Sequence, residues 1–137
     1  MENTAEASGR ETCWIIDIFP HRVSPEFGGV FSSVESWFLQ ERERTAVNRK
    51  KLHFLLKLNC FMHFRVFKDE EETPLHDPEP AVLNELIARH YLTITTDCLR
   101  ILSDRCETCM VLYTKDEPVP KLIRELCIGE GLYLWKA

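Results

Sequence analysis

Apolar positions recur along this chain with two different periods, and the switches between them mark out its elements. Cys13 to Phe19 (CWIIDIF) is a short apolar run stopped by Pro20, which predicts a buried strand. Pro25 and Gly28-Gly29 make His21 to Gly29 a loop. From Phe31 to Gln40, the residues Phe31, Val34, Phe38 and Leu39 return at helical spacing beside Trp37. A longer helix is predicted from about Arg44 to Leu58, with Val47, Leu52, Leu55, Leu58 and Met62 along one side and Phe54 adjoining. Lys50, His53 and Lys57 fall together on the opposite side. Near Cys60 the period changes, and Phe61 to Phe67 is aromatic and β-branched enough for a strand.

The second half alternates more quickly. Asp69 to Pro78 reads as an acidic loop, after which Asp77 offers a helix cap and Pro78 and Pro80 fall in the first turn, where a missing N–H costs little. Val82, Leu83, Leu86 and Ile87 give that helix its apolar stripe up to His90, and Leu92 and Ile94 then alternate with Thr93 and Thr95 as a strand. The alternation slips by one residue at Asp97, because Leu99 and Ile101 have the other parity, so either a bulge or a turn that adds a strand lies near Thr96-Asp97. Ser103 to Arg105 is the next turn and Thr108 to Thr114 the next strand. Asp116 to Pro120 repeats the cap-and-proline device before a helix on Leu122, Ile123, Leu126 and Cys127. Gly129 and Gly131 suit its C-terminal cap, and Leu132 to Trp135 is the final strand.

Two stretches resemble each other. Pro80-Ala-Val-Leu-Asn-Glu-Leu, five residues and Leu92-Thr-Ile align without gaps on Pro120-Lys-Leu-Ile-Arg-Glu-Leu, five residues and Leu132-Tyr-Leu. The pattern predicts an α+β fold: a mixed or antiparallel sheet of about five strands with helices packed on it. A ferredoxin-like βαββαβ unit over about 60–137, preceded by a strand and two helices, is the specific version of that fold. Residues 1–12 read as a polar N-terminal segment and 13–137 as a single α+β domain.

Composition narrows the class. The 137 residues are 45% hydrophobic and 28% charged, a balance that supports one core without metal or disulfide. No apolar run approaches the ~20 residues needed to cross a bilayer, and residues 1–12 lack the basic start of an export signal, which predicts a cytoplasmic protein off the membrane. A net charge of -5 argues against a nucleic-acid binder. Arg42, Arg44, Arg49, Lys50, Lys51 and Lys57 nevertheless cluster, and are read as a solvated basic surface opposite the acidic stretch at Asp69 to Glu72.

Chemistry is harder to find. Cys13, Cys60, Cys98, Cys106, Cys109 and Cys127 are read as reduced thiols, mostly in apolar segments. Cys106-Glu-Thr-Cys109 enters a strand, which is the wrong place for redox work at a helix N-terminus. Paired with Cys60-Phe-Met-His63 it would give four tetrahedral ligands, the metal alternative. No GxSxG or phosphate loop is present, so no cofactor and no catalytic residue is assigned. The final strand is apolar on both faces, which makes Tyr133 and Trp135 the candidate interface for a protein partner or a second copy. The reading is a small non-catalytic interaction or regulatory module, with a metal- or ligand-handling protein as the alternative.

Overall fold

In the computed structural model, residues 11–22 and 29–137 are described, with the side chains of 29–31 left aside. The segment read as polar and N-terminal therefore lies almost wholly outside the described residues, as does most of the first loop. The elements in chain order are β1 (Thr12–Asp17), α1 (Gly29–Phe38), α2 (Glu41–Asn59), β2 (Arg65–Lys68), β3 (Leu75–His76), α3 (Pro80–Arg89), β4 (Leu92–Thr95), β5 (Leu99–Ser103), β6 (Met110–Thr114), α4 (Pro118–Glu130) and β7 (Tyr133–Lys136).

Local chemistry places most of the boundaries. Glu41 and Glu43 open α2 and Lys57 closes it, each charge favouring its end of the helix dipole. Pro80 and Pro118 occupy the first turns of α3 and α4. Gly131 ends α4 in the left-handed conformation (φ 69°), and the Leu132 amide turns back to the Cys127 carbonyl. Asp77 is not the cap expected of it. Its own φ is 43°, and its carboxylate accepts from the Phe64 amide, Asn59 and His63 to brace the start of β2. Those bonds hold its pKa down to about 2.

The seven strands form one antiparallel sheet in the order β3-β2-β4-β5-β6-β1-β7. This corrects both the strand count and the ferredoxin-like order. One added strand is the two-residue β3, hidden in the acidic loop. The slip at Asp97 is a turn rather than a bulge: Thr96 Oγ1 accepts from the Cys98 and Leu99 amides, so β4 and β5 are separate strands. The order changes because β1, left outside the unit by the sequence pattern, pairs along Ile16↔Met110 on one side and Ile16↔Leu134 on the other. The two resembling stretches still build equivalent pieces. β3-α3-β4 and β6-α4-β7 are each a strand–helix–strand pair split by one antiparallel strand, β2 and β1 respectively, with β5 between the two pieces.

One face of the sheet carries the core. Val66, Ile94, Ile101 and Leu112 stand in one row across four strands, and Leu92, Ser103, Met110, Ile16 and Leu134 in the next. Against them pack Phe54, Leu55 and Leu58 of α2, Leu83, Leu86 and Ile87 of α3, and Val119, Ile123 and Cys127 of α4, all buried. α2 lies between the other two helices. Among the described residues, no helix is long and apolar enough to cross a membrane.

Candidate functional site

The opposite face of the sheet is also partly apolar. Phe67, Thr93, Leu102, Val111, Ile15 and Trp135 form an unbroken cross-strand row on it. α1 crosses the Ile15–Trp135 end of this row, with Trp37 edge-on to Phe19 at 6.5 Å between ring centroids. Between α1 and the sheet lies a cavity of 480 Å³, within the range of binding sites for small ligands or side chains. Its floor is Ile15, Leu102 and Val111, and its walls include Phe19, Val34, Phe38, Tyr91 and Trp135. The Trp135 indole N–H donates to the Phe19 carbonyl at 3.2 Å, which fixes that wall.

The polar end of the cavity is built by the β5–β6 turn. Asp17, the last residue of β1, is 6% exposed and accepts from Thr108 Oγ1 at 2.9 Å and from the Ile18 amide at 2.7 Å. Burial raises its pKa even so, because the lost hydration outweighs those bonds. Lys51 reaches the same turn from α2 on the core face. It is 1% exposed, and its ammonium donates to the Glu107 carbonyl at 2.7 Å and the Asp104 carbonyl at 3.2 Å. Burial pulls its pKa down to about 8, against the attraction of Cys109, Asp104, Asp17 and Glu107. Cys109 is pushed up to about 11, first by burial and then by the carboxylates of Asp17 and Glu107. A thiol this weakly acidic is a poor nucleophile at neutral pH. Asp17 and Lys51 are thus both hydrogen-bonded to the β5–β6 turn, and burial suppresses the Cys109 thiolate.

The residues singled out in the sequence are distributed as follows. Cys106 and Cys109 both line the cavity. Cys60 and His63 lie at the Arg65 end of β2, opposite Thr95 and Arg100, whereas the β5–β6 turn lies at the far end of the same strands. The two pairs are separated by the length of the sheet, and His63 bonds Asp77 instead. Among the described residues, no three His, Cys, Asp or Glu side chains are placed to hold a metal ion. Trp135 faces the cavity, and Tyr133, on the same face of β7, is 50% exposed. Lys51, which the sequence groups with the solvated basic surface, is the most deeply buried charge of that cluster. All six cysteines are free, with Cys127 alone fully buried. Denatured, unreduced protein is therefore expected to titrate close to six thiols, and two fewer would reveal a disulfide.

Comparison of the chain with protein-family models, with curated proteins and with solved structures finds no match.

Proposed function

We propose that the protein is a non-catalytic interaction module that receives a short segment of a partner protein at the α1-covered face of its sheet. The observation that carries this reading is the 480 Å³ cavity, whose apolar floor comes from three neighbouring strands and whose buried carboxylate, Asp17, is already hydrogen-bonded to Thr108. The adjoining edge supports it. β7 is an edge strand and, among the described residues, pairs only with β1, so its outer N–H and C=O groups can take an extended chain while side chains of that chain enter the cavity. Tyr133, half exposed beside the opening, supplies further contact area of the kind that anchors interfaces.

Selection from a displayed library of random peptides tests the reading. Enriched peptides should shift the methyl resonances of Ile15, Leu102 and Val111 and protect the β7 amides from exchange. Binding should be lost in Leu102→Arg, whose charge lies on the cavity floor, while the circular dichroism of that variant stays native. A library that yields no binder, or binders mapping to the helix face, would remove the basis of the proposal.

A further inference from the structure

A second cavity, of 290 Å³, lies on the other side of Phe38 and Cys106, which line both. Three arginines line it from three separate elements: Arg44 of α2, Arg89 at the end of α3 and Arg105 in the β5–β6 turn. The only carboxylate lining it is that of Glu41, so the cavity carries a surplus of two positive charges in a chain whose net charge is -5. Arg89 is partly engaged by Glu85 of its own helix, with Nε at 3.1 Å, while Arg44 and Arg105 make no ion pair among the described residues. Assembling like charges around one cavity is unfavourable unless an anion joins them.

The rest of the lining points the same way. The Asn48 side chain lines this cavity, and its amide oxygen is buried without a hydrogen-bond partner. Thr45 adds a hydroxyl, and Leu39, 70% exposed, gives the rim an apolar lip.

We infer that this cavity is a binding site for a phosphate monoester, held through its oxygens by Arg44, Arg89 and Arg105. A monoester carries a charge near -2 at neutral pH, opposite in sign to the lining, and guanidinium forks fit its oxygens two at a time. The site adjoins the partner-binding face through Phe38 and Cys106, but the inference does not depend on that reading.

Titration with phenyl phosphate, followed by amide resonances and by calorimetry, tests it. The expected result is saturable shifts at Asn48, Ala88 and Arg105, and an affinity about tenfold weaker in each of Arg44→Gln and Arg105→Gln, the loss of one charge-assisted contact. Benzyl alcohol, which has the ring without the charge, should not shift these residues. A phosphotyrosyl peptide and inorganic phosphate complete the series: tighter binding of the peptide marks a protein-borne ester as the source, and equal binding of free phosphate a small-molecule one. The inference fails if phenyl phosphate leaves these resonances unmoved, if both arginine variants bind it as well as the parent, or if benzyl alcohol moves them equally.

Discussion

Removal of residues 132–137 is expected to leave the chain unfolded or aggregated. Leu132 and Leu134 are both buried in the core, and Trp135 forms a wall of the cavity. Each large side chain is worth roughly 1.5–3 kcal/mol on burial, while a whole domain has only about 5–15 kcal/mol in hand. The deletion also strips β1 of one of its two partners and leaves the chain CWIID as a bare edge, a template for intermolecular pairing. The milder Trp135→Ala should cost roughly 2 kcal/mol, less than the 3–5 kcal/mol of a fully buried tryptophan, because the ring is only partly covered. Denaturant melts give both values, and sedimentation shows whether subunit number changes. A deletion variant that melts like the parent would mean that β7 contributes nothing to the sheet.

Lys51→Met should destabilise the protein by roughly 3 kcal/mol at pH 7, since two charge-assisted hydrogen bonds are lost and the Asp104 and Glu107 carbonyls are left unpaired. Its effect on pH dependence is more telling. The ammonium titrates near pH 8 in the folded chain and near 10.5 unfolded, so between these values the unfolded chain holds more protons and stability rises with pH. Cys109, at about 11, and Cys127, at about 12, do the reverse: above the ordinary thiol value of 9.0 the folded chain holds more protons and stability falls. Parent protein should therefore gain stability from about pH 8 to pH 9, by up to about 1.4 kcal/mol per pH unit, and lose it at higher pH. The methionine variant should lack the gain and keep the loss. Melts at closely spaced pH values decide, and a gain of equal size in both proteins would place the titrating group elsewhere.

The helices and the inner strands were legible in the sequence because each rests on local periodicity and local punctuation, as with Pro80 before the Leu83–Ile87 stripe and Gly131 behind Cys127. The order of the strands was not, because it depends on a pairing between Thr12 and Thr114 that no local pattern records. β3, two exposed residues long, has no periodicity to detect. Lys51 is the instructive failure. Val47, Lys51, Phe54, Leu55 and Leu58 are the buried stripe of α2, so Lys51 stands where the helical period asks for an apolar residue. Its charged neighbours in the sequence obscure that stripe, and it is the one buried cation among the described residues. The cavity was hinted at by the two-sided apolar character of β7, but the helix that roofs it comes from the opposite end of the chain.

The way β1 is held between β6 and β7 has a consequence for the chain while it is being made. β1 is synthesised before every other described strand, yet its hydrogen-bonding partners begin at Met110 and end at Lys136. At about 5–20 residues per second, translation leaves it waiting for some five to twenty seconds before either neighbour exists. During that interval β2 to β5 and the helix α3 can assemble around α2, while the apolar segment CWIID has no sheet to join. The nascent chain thus carries an unpaired apolar strand until those partners have been made. That strand can close into the sheet only once Met110 to Lys136 have been made.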